Sequence, residues 1–266
     1  MTNDLIYVYC LSNSPPAFPE TMMKLKNLKS LVCGDFYVVV KLVSSEEFSE
    51  ENFKRNLSDI EWLETNAREH VEVINILMTQ NAVIPFRFGT IYLAEDSLRK
   101  FITDYSDSLF ENLHHIEGKE EWGVKIYCDR KSLSEQIDEL SEETAALEKQ
   151  IMASSPGKAF LLKRKKAELV ENEMDRICKS YGQNYCDEFR KLSVSTNLNN
   201  LLPKEFTGRE DTMILNANFL VNKTTVNDFR NTADTLKRND SIFGFYILAT
   251  GPLPPFNFIC IKENLL

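Results

Sequence analysis

The sequence lacks the hallmarks of several functional classes. No apolar run approaches the roughly 18 residues that a membrane-spanning helix needs, and residues 1–4 lack the basic and then apolar pattern of a secretory signal. There is no GxxxxGK[ST] or GxGxxG phosphate loop, no nucleophile elbow and no Ser-x-x-Lys pair. We therefore expect a cytoplasmic protein that has no membrane partner, and a nucleotide-dependent enzyme is disfavoured.

Metal ligands are also scarce. The six cysteines contain no CxxC pair, which predicts buried reduced thiols and neither a zinc site nor a disulfide framework. His70 falls on or beside the apolar stripe of a predicted helix and is interpreted as a core residue. His114 and His115 are adjacent, so they point to different sides of their helix. We predict no metal, no cofactor and no catalytic residue.

Length and charge restrict the number of domains and the class of partner. A chain of 266 residues is long enough for two domains of ordinary size. Lys and Arg number 31 and Asp and Glu number 40, so the net charge is 31 − 40 = −9, which argues against a nucleic-acid partner. The 43% of hydrophobic and 27% of charged residues are typical of a globular protein.

Periodicity in the first 118 residues predicts a mixed domain. A capping box, Ser58 with Glu61, precedes the first helix, and Pro85 places the last strand at a sheet edge or a strand start. The second strand is apolar enough to be buried on both faces. The predicted elements are strands over Leu5–Leu11 and Phe36–Val43, a helix over 59–79, a strand over Val83–Tyr92 and a helix over 98–116.

The second half predicts a different order. Its elements are a strand over Trp122–Cys128, a continuous helical region to Ile151, a helix from Pro156 to about Leu192, strands at 193–198 and 212–221, a helix at 225–237 and strands at 242–249 and 256–261. From Trp122 to Ala249 this is the order of a ferredoxin-like domain with an enlarged first helical connection. We predict an α+β fold with two domains: an N-terminal α+β domain, residues 1–118, and a C-terminal modified ferredoxin-like domain, residues 119–266, with a long helical insertion and a Pro/aromatic tail.

Charge is segregated around the break at Ser154–Gly157. Residues 135–148 carry six acidic side chains and no basic one, whereas residues 156–166 carry five basic side chains and no acidic one. If the chain reverses at the break, the two helices pair as a hairpin with complementary faces, which we favour. If it does not reverse there, each face is available to a partner, and salt would weaken that contact.

Five segments in this order resemble the gas vesicle GvpF/GvpL family. They are Tyr7–Leu11 (YVYCL), Val83–Tyr92 (VIPFRFGTIY), Glu121–Tyr127 (EWGVKIY), Ser154–Lys165 (SSPGKAFLLKRK) and the closing proline-aromatic segment Gly251–Phe258 (GPLPPFNF). Together they span nearly the whole chain.

The resemblance implies a two-domain α+β protein whose second domain is of modified ferredoxin type. It also implies an accessory or minor structural role in making gas vesicles, which are protein-shelled, gas-filled compartments in the cytoplasm. The implied partners are the small, very hydrophobic shell protein GvpA and other Gvp accessory proteins, and no catalytic residue is implied. At Phe256 many relatives have Tyr, so any contact made by that hydroxyl is in doubt here.

We hypothesise that the segments around Ile84–Tyr92 and Gly251–Phe258, with the basic stretch Lys158–Lys166, contact these partners. Prolines keep the first two from being regular central strands and leave aromatic residues at element ends. The residue types favour a simpler interpretation, in which Phe86, Phe88, Phe256 and Phe258 belong to the core. The candidate partner-binding residues are Arg87, Lys158, Lys163, Arg164, Lys165, Phe256 and Phe258.

Two other functions are compatible with a ferredoxin-like domain. One is a regulatory protein or enzyme that binds a small anion at the helix start at Pro156, beside Lys158. The other is an RNA-binding protein that uses an aromatic platform on its sheet. The acidic net charge and the core-like strand faces oppose the second.

Overall fold

The structure, a computed structural model, describes residues 4–20, 22, 25 and 27–261. By contact, the chain divides into two compact units, the first formed by Met1–Glu120 with Pro252–Leu266 and the second by Glu121–Gly251. Each unit combines a sheet with helices, so the predicted α+β class is confirmed. No helix in the described ranges has the length and apolar content to cross a bilayer.

The first unit contains a sheet with the strand order β2-β3-β1-β4, in which β5 also pairs with β1. All of its pairs are antiparallel. Both β4 and β5 are only two residues long, and they follow one another along the same central strand. The strands are β1 (Asp4–Ser12), β2 (Leu28–Cys33), β3 (Phe36–Ser44), β4 (Ile84–Pro85) and β5 (Ile91–Tyr92).

Five helices are described in this unit. The Asp59 carboxylate accepts hydrogen bonds from the backbone N–H groups of Glu61 and Trp62, so the predicted cap at Ser58 is wrong by one residue. The predicted second helix is broken at Tyr105. The helices are α1 (Ser45–Phe48), α2 (Glu50–Asn56), α3 (Ile60–Met78), α4 (Glu95–Asp104) and α5 (Ser106–Ile116).

A β-bulge in β1 shapes the core of the first unit. Val8 pairs with Val40 but Cys10 pairs with Val39, which leaves Tyr9 as the extra residue. The side chains of Tyr9 and Cys10 therefore both join the core cluster that α3 completes. The successive residues Val39 and Val40 of β3 are both buried, in agreement with the predicted burial of the second strand on both faces, and Val8 of β1 is fully buried as well.

Sequence patterns missed β2. It forms a two-residue hairpin with β3 through Gly34 and Asp35, and Gly34 adopts a φ of +59°. This left-handed conformation suits glycine, which has no Cβ to clash with the backbone. β2 lies at the edge of the sheet and has only six residues, of which Lys29 and Ser30 are polar, so its apolar signal is weak.

The second unit has a sheet with the order β7-β8-β6-β9. The helical connection from β6 to β7 passes over β8, and the connection from β8 to β9 passes over β6. These interleaved crossovers are those of the predicted ferredoxin-like arrangement. The strands are β6 (Lys119–Cys128), β7 (Ser195–Leu198), β8 (Thr212–Asn222) and β9 (Phe245–Leu253).

The helical region before Pro156 is not continuous. It is interrupted at Gln136 and Ser141, and the Ser141 hydroxyl caps the next helix by accepting from the Thr144 N–H. The long helix that follows has the predicted bounds, with Pro156 in its first turn. The helices are α6 (Arg130–Glu135), α7 (Ile137–Leu140), α8 (Glu142–Met152), α9 (Pro156–Lys191), α10 (Lys204–Thr207) and α11 (Val226–Asp240).

The second half of α9 and helix α11 cover one face of this sheet. Phe189 of α9, Phe219 of β8 and Phe229 of α11 are fully buried, with ring centroids 4.8 to 5.6 Å apart. Gly182 lets α9 approach β8 closely, because a Cβ there would lie 2.6 Å from the Ile214 carbonyl oxygen. The close approach of helix and strand thus depends on one glycine.

The described residues of the tail beyond Gly251 make their contacts in the first unit. We expected it in the C-terminal domain, whereas its described residues from Pro252 group with the first unit. There, the Asn112 side chain of α5 makes two hydrogen bonds with the backbone of Cys260. Its Nδ2 donates to the Cys260 carbonyl at 3.0 Å, and its Oδ1 accepts from the Cys260 N–H at 2.8 Å. The division of the chain into two domains stays a prediction.

The packing at Gly182 predicts a stability difference within one helix. Gly182→Ala should destabilise the fold by about 1–3 kcal/mol, because the new methyl group meets backbone that cannot rotate away. Gly157→Ala in the first turn of α9 meets nothing within 4 Å and should stabilise by about 0.4–1 kcal/mol. Chemical denaturation measures both, and a Gly182→Ala variant as stable as the wild type would contradict the packing described.

Candidate partner-binding surfaces

The family-like segment Val83–Tyr92 is organised by a buried histidine. His70 of α3 is 1% exposed; its Nε2 lies 2.9 Å from the Phe86 carbonyl oxygen and its Nδ1 lies 2.8 Å from the Tyr7 hydroxyl. A carbonyl only accepts, so Nε2 carries the proton and the neutral ring accepts from Tyr7 at Nδ1. The Tyr7 hydroxyl in turn accepts from the Gly89 N–H at 3.3 Å.

A charged network lies beside it. The Tyr9 hydroxyl and the Lys41 ammonium both donate to the Glu69 carboxylate, the latter at 2.7 and 3.0 Å. The Tyr9 ring also stacks on the His70 ring, with centroids 5.5 Å apart. The neighbouring α3 residues Glu69 and His70 thus bind the hydroxyls of Tyr9 and Tyr7, and these hydrogen bonds fix helix α3 against strand β1. Burial raises the pKa of Tyr9 well above its ordinary value, and the hydrogen bond to Glu69 adds to this.

The middle of Val83–Tyr92 is a turn, so the predicted continuous strand is wrong there. The Thr90 N–H donates to the Arg87 carbonyl at 3.1 Å, and Gly89 adopts a φ of +81° at the third position of this turn. That is the glycine position of a type II turn. Arg87 lies at the start of the turn and is exposed, whereas Phe86 is buried.

Residues 256–261 contain no strand, which corrects the prediction for them, whereas Gly251–Leu253 at the start of the Pro/aromatic segment end β9. Phe256–Phe258 is a single 3-10 turn, and Pro254 and Pro255 have no N–H to donate to a ladder. Phe258 is buried, as the core interpretation expected, whereas Phe256 is 39% exposed. Phe258 therefore anchors the turn, and Phe256 lies at its surface.

The reversal at Ser154–Gly157 is as favoured: α8 and α9 pack as a hairpin. Complementary charge contributes to that packing through one cation, because Lys166 Nζ lies 2.6 Å from Asp138 Oδ2 and 2.8 Å from Glu148 Oε2. The four candidate cations are all exposed and make no ion pair with any described residue; they are Lys158, Lys163, Arg164 and Lys165.

Apolar side chains accompany these cations. Phe160 and Leu161 are 71% and 67% exposed on the same turns of α9, and Met152 is exposed at the end of α8. The exposure of these three side chains was not predicted from the sequence. We call the exposed residues Lys158, Phe160, Leu161, Lys163, Arg164 and Lys165 the α9 face.

A cleft of about 540 Å³ lies beside α3. Two of its carboxylates have structural partners: Asp59 caps α3, and Glu47 accepts from the Trp62 indole N–H. Among the residues that the structure describes, no three His, Cys, Asp or Glu side chains are grouped to bind a metal. The candidate surfaces are therefore the α9 face in one unit, and Arg87 and Phe256 in the other.

Comparisons with known proteins agree in sequence and in fold. Residues 5–260 match the family described as "Gas vesicle synthesis protein GvpL/GvpF". "Gas vesicle protein L" from Streptomyces sp. (strain CB03234) is 25% identical over 235 residues, which cover 87% of this chain and 82% of that protein. The crystal structure of gas vesicle protein GvpF from Anabaena sp. PCC7120 superposes with a TM-score of 0.69 at 18% identity, covering 98% of this chain and 100% of that one. GvpF from Microcystis aeruginosa gives 0.64 at 17%, covering 97% and 100%.

The environment of His70 predicts a pH dependence of stability. Burial lowers the pKa of His70 below its ordinary value of 6.5, although the hydrogen bond to the Phe86 carbonyl and the Glu69 charge oppose this. The unfolded chain therefore binds the proton more readily than the folded chain. The contribution of His70 to the free energy of unfolding is fully present above pH 6.5 and is lost as the pH falls below that value, by up to about 1.4 kcal/mol per pH unit.

The free energy of unfolding, measured between about pH 7.5 and pH 5.5, should fall less steeply for His70→Gln than for the wild type. The exposed His114 provides the control, because His114→Gln should keep the wild-type slope. Equal slopes for His70→Gln and the wild type would contradict this account of the buried network.

Proposed function

We propose that this chain, which belongs to the GvpL/GvpF family of gas vesicle synthesis proteins, is an accessory or minor structural protein that binds the shell protein GvpA and other Gvp proteins during gas vesicle assembly. It acts in the cytoplasm, at the growing gas vesicle. No catalysed step is included, because the role depends on contacts between polypeptides. The observation that carries the proposal is the α9 face, where exposed apolar side chains lie among cations that pair with no residue in the described part of the chain.

The chemistry of a gas-filled compartment requires such a partner. A shell subunit apolar enough to keep liquid water out of the lumen exposes surfaces and strand edges that aggregate before assembly. A binder that offers apolar side chains within a charged surface covers those groups while the complex stays in solution. The net charge of −9 on this chain suits that task, because it keeps the complex away from zero charge.

The proposed partner surface uses the candidate residues in different ways. Lys158, Lys163, Arg164 and Lys165 give the α9 face its positive charge, which steers acidic partners and fixes their orientation. In the other unit, Arg87 and Phe256 present a cation and a partly exposed ring. Phe258 takes part as the buried anchor that holds the turn carrying Phe256.

Affinity purification tests the function itself. A tagged copy of the chain, isolated from cells that carry the gas vesicle gene cluster, should bring GvpA or another Gvp protein with it. Recovery of the chain without any Gvp protein, at full expression of the cluster, would contradict the proposal.

Charge reversal tests the α9 face. The triple variant Lys163→Glu, Arg164→Glu and Lys165→Glu should lower co-purification of Gvp proteins about tenfold, because repulsion replaces attraction at the contact. A matched variant, Lys131→Glu, Lys179→Glu and Lys237→Glu, changes the net charge equally at exposed lysines elsewhere in the same unit and should bind like the wild type. Unchanged binding by the first variant would remove the basic stretch from the proposed surface.

A further inference from the structure

The α9 face is a continuous stripe. Phe160 and Arg164 are four residues apart, as are Leu161 and Lys165, so each apolar side chain has a cation beside it on the same side of the helix. Over residues 156–168 the exposed cations outnumber the exposed acidic residues by four to one, the acidic residue being Glu168. The stripe extends over about 12 Å of helix.

Helix α3 carries a stripe of the opposite sign. Ile60 is 80% exposed and Val71, three turns further on, is also exposed, and each is followed directly by an exposed glutamate. Glu64 lies between them, and Arg68 is the one exposed cation of α3, where it pairs with Glu64. We call the exposed residues Ile60, Glu61, Glu64, Val71 and Glu72 the α3 face.

We propose that the α9 face of one copy of this chain binds the α3 face of a second copy. The two stripes match in kind: each carries two large apolar side chains, flanked by cations in one and by carboxylates in the other. Glu61 and Glu72 make no ion pair with any described residue, and neither do Arg164 and Lys165. Association therefore gives four unpaired charges a partner without breaking an existing pair.

The size of the stripes sets the strength of the contact. The α9 face covers about two helical turns, roughly 12 Å, and the α3 face between three and four, roughly 20 Å. Each therefore buries less than the roughly 800 Å² per partner that a stable complex needs. The association is therefore weak, and it weakens as salt screens the charges. The inference goes beyond the proposed function, since it concerns the chain alone. It adds one consequence: a second copy and an accessory protein compete for the α9 face.

Sedimentation velocity of the purified full chain tests this over a range of concentrations at low and at high salt. The wild type should associate at low salt and dissociate at high salt. Arg164→Glu with Lys165→Glu removes the net positive charge of the α9 face, whose other cations are Lys158 and Lys163. Glu61→Lys with Glu72→Lys makes the α3 face basic, so each variant alone should weaken self-association about tenfold or more.

A mixture of the two variants combines the unchanged α9 face of one with the unchanged α3 face of the other, so association should return. Circular dichroism and thermal unfolding verify that both variants are folded. A wild type that is monomeric at every concentration at low salt would overturn the inference, as would variants that associate like the wild type or a mixture that fails to associate.

The variant Glu61→Lys with Glu72→Lys also separates this inference from the proposed function, because the α3 face lies outside the proposed partner surface. If it self-associates less but still co-purifies Gvp proteins, both statements stand. If it self-associates like the wild type while the α9 variant loses Gvp proteins, the α9 face serves other partners and the pairing of copies is wrong.

Discussion

The two halves of helix α9 pack in different environments. Its second half, from Met174 to Phe189, must bury one face against the sheet of its unit, and Gly182 sets how closely it does so. Its first half packs against the short helices α7 and α8. There, one partly buried cation, Lys166, bridges two carboxylates and holds the hairpin. Phe160, Leu161 and Lys165 on this half are exposed, so the fold of the unit does not account for a mixture of apolar side chains and cations there.

In the first unit, the constraint lies at the sheet edge that the segment Val83–Tyr92 forms. A proline and a left-handed glycine interrupt the edge segment, and the freed backbone groups need partners. His70 and Tyr7 provide them, because the neutral ring donates to the Phe86 carbonyl and the Tyr7 hydroxyl accepts from the Gly89 N–H. The turn that exposes Arg87 is therefore supported from inside the core. The short, interrupted strands also make this edge a poor template for unwanted pairing.

Sequence patterns predicted the elements whose periodicity is long, and missed those that depend on local chemistry. The bounds of α3 and α9 follow from apolar residues at helical spacing, and the ferredoxin-like order follows from the succession of elements in the second half. Strand β2 escaped because six residues that include Lys29 and Ser30 give little alternation. The turn at Gly89 was not predicted, because the alternation of apolar residues carries no information about the φ angle of that glycine.

The candidate site was predictable in kind but only partly in detail. Segregated charge pointed to the stretch Lys158–Lys166, but the spacing alone did not show that Lys166 faces α8 while its neighbour Lys165 faces solvent. That distinction depends on the rotation of α9 about its axis, which the whole core sets. For the same reason, the exposure of Phe160 and Leu161 emerged only from the fold. The most direct measurement is photocrosslinking from position 161 in cells that carry the gas vesicle gene cluster, with the exposed Asn231 of α11 as the control position. The account predicts adducts with gas vesicle proteins from position 161 and few from position 231; no adducts at 161, or equal yields at both positions, would contradict it.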